Sequence, residues 1–252
     1  MRARVASILQ RTAPGKFVRC AGGGSFRRVD AAGRATGARV RGITKRLAER
    51  VFSGSDPPIG GKCWRGSAWK GAGGGRRRGK AVDAQVSRLA KLSEKHRANA
   101  TQLKLTRLTF AALRYHNLTP VTAQRVVLDD VLNLGTAIDV VCLRGHELVL
   151  VELKTGFVGQ RSDPARANGV VQMLRAPFRR AADSHLHRHF AQLAATMALF
   201  EAESATLEAL TAAGIESVAG VVLYVNDVET EVHELPPWWR RRGDQLLSVL
   251  CA

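Results

Sequence analysis

A chain of 252 residues, 45% of them hydrophobic, can bury a sizeable core as one large or two small domains. Its formal charge of +18 is gathered at one end, since residues 1–80 hold 20 Lys and Arg against 3 Asp and Glu, and the remainder holds 19 against 18. No run reaches the roughly 18 uninterrupted apolar residues that span a bilayer. The four cysteines, Cys20, Cys63, Cys142 and Cys251, lack any metal-finger spacing and argue against a secreted disulfide scaffold.

Residues 1 to 78 read as a basic, Gly- and Arg-rich and largely unfolded region. It carries Gly22-Gly23-Gly24, Pro57-Pro58 and Gly73-Gly74-Gly75-Arg76-Arg77-Arg78, with little apolar period. Met1 to Arg19 is Arg-bearing and acid-free, the character of an organelle-targeting presequence such as a mitochondrial one. A plain basic tail of a nuclear or cytoplasmic protein is the alternative. Such charge binds phosphate backbones without sequence preference, through residues such as Arg76, Arg77 and Arg78. Trp64 and Trp69 lie among Lys62, Arg65 and Lys70, where they could stack on unpaired bases or simply pack on the body.

The folded part is expected over residues 79–252. Val82, Val86, Leu89 and Ala90 fall at helical spacing, and a second helix is expected from Ala100 to His116, with Leu105, Leu108 and Ala112 on one face. Asn117 to Pro120 ends it, because the residue before Pro avoids the helical region. Val121 to Leu128 reads as a strand. Then come two apolar, β-branched arms, Gly135 to Leu143 and Glu147 to Lys154, that suit buried strands. Gly145-His146 supplies the tight turn.

Beyond the hairpin, a polar loop spans Gln160 to Asn168, where Arg161 and Arg166 could reach a phosphate or stay solvated. A short helix is expected from Val170 towards Arg180. Asp183-Ser184 caps a further helix with Leu186, Phe190, Leu193, Met197 and Phe200 as its core stripe. Arg188 and Gln192 lie beside that stripe. His185, His187 and His189 cannot share one helix face, which argues against a metal site made of all three. Ser217 to Asn226 reads as a fourth strand and Glu229 to Leu235 as a polar edge strand. Pro236-Pro237 opens a last helix with Trp238-Trp239 and Arg240-Arg241-Arg242. This succession gives an α/β fold with a mixed central sheet flanked by helices.

Three charges interrupt the apolar hairpin. A two-residue turn at Gly145-His146 sets Asp139 opposite Glu152, and Lys154 follows two residues on along the same face. Burying them uncompensated would cost several kcal/mol each. Two carboxylates offer hard oxygen ligands suited to Mg²⁺ or Mn²⁺, and a lysine beside them would orient or help deprotonate an attacking water. The bland alternative is an ion network at the sheet edge.

The series Gly135-Thr136-Ala137-Ile138-Asp139, hairpin, Glu152-Leu153-Lys154-Thr155-Gly156 resembles the PD-(D/E)xK nuclease superfamily, in its RecB-like and lambda-exonuclease-like branch, over about residues 79 to 235. Ile138 stands where the family name has proline. The resemblance implies a restriction-endonuclease-like core and a Mg²⁺- or Mn²⁺-dependent nuclease hydrolysing phosphodiester bonds in DNA, in repair, recombination or replication. Asp139 and Glu152 would be metal ligands and Lys154 the catalytic cation. It further implies a Gly followed by a helical acidic residue at the metal, which Gly79 and Asp83 match, with Glu94 as a rival. A Gln-x-x-x-Tyr motif is matched by Gln192, with Thr196 in place of the Tyr. A nucleic-acid-binding protein with an inactive nuclease-like fold, or an RNA-processing nuclease, are the alternatives.

Overall fold

The computed structural model describes residues 1–13, 17–20, 25–30, 32–57, 74–156 and 161–252, apart from the side chains at 18, 19, 38, 74 and 76. In chain order it forms α1 (Arg2–Arg11), β1 (Phe17–Arg19), β2 (Ser25–Val29), β3 (Ala35–Gly42), α2 (Ile43–Arg50), α3 (Gly74–Leu89), α4 (Glu94–Asn99) and α5 (Lys104–Tyr115). The hairpin strands and their neighbours follow as β4 (Thr119–Asp129), β5 (Leu134–Arg144), β6 (Glu147–Thr155), β7 (Arg166–Ala167) and β8 (Val170–Val171). The chain ends in α6 (His185–Glu201), α7 (Ser204–Thr211), β9 (Ser217–Val225), β10 (Thr230–Glu234), α8 (Pro237–Arg240) and α9 (Gly243–Cys251).

The fold is α/β, with a mixed sheet ordered β1-β2-β3-β5-β6-β9-β10 and β4 paired to β5. The β5–β6 hairpin is antiparallel, running from Arg144↔Glu147 to Val140↔Val151, in the register that a turn at Gly145-His146 predicts. Gly145 takes φ +60, the left-handed value such a turn needs. β6 then runs parallel to β9 from Glu147↔Ser217 to Thr155↔Val225.

β5 is the spine. Leu134 pairs with both Asp129 of β4 and Arg41 of β3, and Cys142 with both Pro120 of β4 and Val149 of β6. A strand has only two edges, so β3 and β6 share the edge opposite β4. They leave Thr136 to Asp139 between them without a ladder partner on that side. The sheet therefore forks at Asp139.

Two hydrophobic clusters cover the two faces. Along β6, Leu148 and Leu150 belong to one, and Val149, Val151 and Leu153 to the other, as alternation in a strand requires. The first face is covered by α6, whose residues from His189 to Phe200 are all buried. Small residues permit that close approach. A Cβ on Gly243 of α9 would lie 2.9 Å from Ala198 Cβ and 3.1 Å from Ala194 O. The second face is covered by α3 and α5, through Val82, Val86, Leu105 and Leu113.

The N-terminal expectation is corrected for its described residues. Val5, Ile8 and Leu9 of α1 and Ile43 and Leu47 of α2, with Val51 just beyond it, are buried in the first cluster, and β3 joins the sheet. Their i, i+3, i+4 and i, i+4, i+8 spacing is helical, but arginines and glycines around it dilute the pattern. Trp64 and Trp69 lie outside the described residues.

The helix expected from Val170 to Arg180 is absent. Asn168 and Gly169 both take positive φ, 51° and 78°, which makes a tight hairpin of β7 and β8. The last helix is broken into α8 and α9, and α4 and α7 were not expected. Trp239 packs on Phe178, ring centroids 6.0 Å apart, within the first cluster. No helix among the described residues is long and apolar enough to cross a membrane.

Candidate active site

Where β5 and β6 part beyond Val140↔Val151, the backbone N–H of Leu153 has no β5 carbonyl to meet. It donates instead to Asp139 Oδ2 at 2.9 Å. Asp139 Oδ1 accepts from Gln124 Nε2 at 3.2 Å. Gln124 lies across from Asp139 because Ala123 pairs with Val140 and Arg125 with Ile138. Gln124 is held at φ +52 inside a strand, a left-handed conformation that costs a non-glycine residue about 1–3 kcal/mol. That strain sits directly against the carboxylate.

Glu152 is 3% exposed. Its Oε1 accepts from Lys154 Nζ at 2.5 Å and from Gln192 Nε2 at 2.6 Å, and Lys154 Nζ also lies 3.3 Å from Gln192 Oε1. Carboxylate, ammonium and amide thus form a closed triangle between β6 and α6. The Lys154 side chain keeps 18% of its surface exposed.

The electrostatics follow from this crowding. Burial and the neighbouring Glu152 charge push the Asp139 pKa well above the usual carboxylate range, with Asp83 adding to the repulsion and Lys154 opposing it. For Lys154, burial works against the charge, but Glu152 and Asp139 outweigh it and raise the pKa. Lys154 is therefore a fixed cation rather than a base. Burial and the Lys154 charge press His189 well below its ordinary value, so it is neutral, with Nδ1 2.6 Å from the Tyr224 hydroxyl.

The structure brings Asp139, Glu152, Lys154 and Gln192 together and sets Asp83 within electrostatic reach of Asp139 and Lys154. Gly79, one turn earlier on α3, packs over the end of β6; a Cβ there would lie 3.5 Å from Thr155 Oγ1. Glu94 is elsewhere, on α4, paired with Arg114 at 3.1 Å.

The expected phosphate-binding arginines divide. Arg77 is exposed, and the side chain of Arg76 lies outside the described residues. Arg78 is 2% exposed and turned into the protein, so it is not offered to a surface ligand. Arg161 is buried over the Tyr224 ring and paired with Glu229 and Glu231. Arg188 is held by Asp183 at 2.6 Å and stacks over Phe52. Both are structural cations: Glu229 and Glu231, distant in sequence, reach Arg161, and Arg188 is held by the nearby Asp183 and by the distant Asp56 at 3.2 Å. The sequence reading also missed Gln124 and Tyr224, and it named His189 only among three histidines that cannot share a helix face. Gln124 is signalled only once the β4–β5 register, bulged between Pro120 and Thr122, is known.

Among the described residues, no three His, Cys, Asp or Glu side chains converge to hold a metal ion. A closed cage is not what Mg²⁺ requires, since it binds through one or two carboxylates and keeps waters and phosphate oxygens for the rest. Asp139 and Glu152 fit that role, and the mutual repulsion that raises Asp139 is what a divalent cation relieves. The chain was compared with protein-family models and with curated proteins, and it matches none of them.

Proposed function

We propose that the chain is a metal-dependent nuclease that hydrolyses phosphodiester bonds in DNA, of the PD-(D/E)xK type with a restriction-endonuclease-like core. The observation that carries this is the Glu152–Lys154–Gln192 triangle beside Asp139 at the fork of the sheet. Asp139 and Glu152 would hold Mg²⁺ or Mn²⁺, with Asp83 contributing charge from α3. A cation held there would supply an acidified water and offset charge on the scissile phosphate.

The chain's own groups do the rest. Lys154 stays protonated and donates to a phosphate oxygen or to the attacking water, where a fixed positive charge stabilises the transition state. Gln192 orients Glu152 through its amide N–H and keeps Lys154 on the same side through its carbonyl. Asp139 is oriented by Leu153 N–H and Gln124, so neither carboxylate rotates freely. Such preorganisation is what electrostatic catalysis needs. A binding protein with a retired site is favoured by one observation only, the Glu152 oxygen already occupied by both Lys154 and Gln192.

Incubating purified full-length chain with single- and double-stranded DNA and RNA, with Mg²⁺, Mn²⁺ or EDTA, separates these readings. Cleavage of DNA that EDTA abolishes supports the nuclease. Binding without cleavage under every metal condition supports the retired site.

A further inference from the structure

The β7–β8 hairpin has no part in the fold's core. Val170 is 64% exposed and Val171 37%, at the tip of a ribbon turned by Asn168-Gly169, and Met173, 40% exposed, lies at its base, bridged to Ala182. Arg166 donates to Gly169 O in its turn, and the segment that carries it adds the exposed arginines Arg175, Arg179 and Arg180 with no acidic residue from Pro164 through Ala182, Asp163 and Asp56 lying beside Arg166. An apolar tip on a cationic segment is complementary to a polyanion with a stacked apolar interior.

The ribbon is rigidly rooted. Gln172 N donates to Ala165 O at 2.8 Å, Ala165 N to Asp183 O at 2.7 Å, Asp183 N to Gln172 O at 2.8 Å and Leu174 N to Ala181 O at 3.0 Å. Asp183 is in turn fixed by Ser53 N and Arg188. Its root is the N-terminus of α6, where Ser184 caps the helix by accepting from His187 N at 3.2 Å. His185, His189 and Gln192 then follow at i, i+4 and i+7 along one face, and Gln192 touches Glu152. At 1.5 Å per residue, Ser184 and Gln192 lie about 12 Å apart along the helix.

We infer that this hairpin is a wedge that inserts Val170 and Val171 into a base step of duplex DNA and unstacks it beside the cleavage site. The inference deepens the nuclease reading and rests on it for the location of the cut strand. Apolar side chains inserted between base steps, with flanking arginines on the backbone, are an established way to kink and open a duplex. A membrane is the weaker occupant, because the exposed tip offers no Trp, Tyr, Phe or Leu to anchor at an interface.

The test uses full-length protein in EDTA, so that nothing is cut, and duplex DNA carrying 2-aminopurine, which brightens on unstacking. Wild type should brighten it. Val170→Ser/Val171→Ser, and Val170→Ser alone as a milder variant, should bind with affinity within about threefold, since the arginines remain, and should lose most of the signal. Equal brightening by wild type and both variants, or none by wild type bound to the duplex, overturns the wedge. Loss of wild-type sedimentation with phosphatidylcholine–phosphatidylserine vesicles in the variants, without any fluorescence change on DNA, overturns it in favour of a membrane contact. Brightening that depends on the valines, by a wild type that cuts no DNA with either metal, supports the wedge and sinks the nuclease reading alone.

Discussion

Asp139 is buried where Glu152 and Asp83 repel its charge. Removing that charge should therefore relieve strain in metal-free protein. Asp139→Asn keeps an acceptor for Leu153 N–H and offers an N–H that Gln124 meets with its carbonyl oxygen once its amide turns over, and it should melt at an equal or higher temperature than wild type without metal. Added Mg²⁺ should raise the wild-type midpoint and leave the variant unmoved. A structural ion network predicts the opposite, a loss of about 3–5 kcal/mol on breaking a buried pair. Differential scanning calorimetry with and without Mg²⁺ distinguishes them. His189 carries a pH prediction. Its folded pKa lies below the ordinary value of 6.5, so the unfolded chain binds the proton more readily. Stability is full above the unfolded value and falls as pH drops through 6.5 towards the folded pKa. The unfolding midpoint should decline on acidification below about pH 6.5, and His189→Gln should flatten that part of the profile.

The elements that bear the site are held by close backbone approach. Gly243 lets α9 lie against α6, with backbone O of Ala194 and Cβ of Ala198 leaving no space for a methyl. Gly243→Ala must push α9 off α6 and should cost about 1–3 kcal/mol, read as a lower denaturation midpoint at unchanged slope. The same elements show what could be read beforehand. The hairpin register and the Ser184 cap were legible because turn chemistry and capping are local. The fork was not, because it depends on β3, and β3 lies in a stretch whose arginines and glycines resemble disorder. The failed helix after Val170 has a local cause too. Asn168-Gly169 is a tight-turn signal, and the apolar run that follows it belongs to a ribbon.

For the molecule as a whole, the basic N-terminal region is the largest store of positive charge, and its described helices and strands are part of the fold. Deleting residues 1–80 would remove Val5, Ile8, Leu9, Ile43 and Leu47 from the core, so it should unfold the chain rather than merely weaken DNA binding. Neutralising exposed arginines is the cleaner probe. Arg27 and Arg39 lie exposed on β2 and β3, the arm of the sheet that meets β5 just before the fork. If both touch phosphate, Arg27→Ala/Arg39→Ala should flatten the log–log salt dependence of duplex binding by about 1.8, at about 0.9 per contact. An unchanged slope would place the contacts elsewhere. That Asp139, Glu152 and Lys154 lie together was legible from their spacing on the hairpin, whereas the engagement of Arg161 and Arg188 by acidic partners required the tertiary structure.

The most direct measurement is single-turnover cleavage of DNA in Mg²⁺ by wild type, Lys154→Ala and Asp139→Asn, with Mg²⁺ affinity measured on the same preparations. Wild type is expected to cut, and each variant to be slowed about a hundredfold to a thousandfold, the usual effect of losing one electrostatic contribution in such a site. Asp139→Asn should also lose Mg²⁺ affinity, while Lys154→Ala keeps both metal and DNA. Wild type that cuts nothing with Mg²⁺ or Mn²⁺, or variants that cut as fast as wild type, would contradict a nuclease site at the fork of β5 and β6.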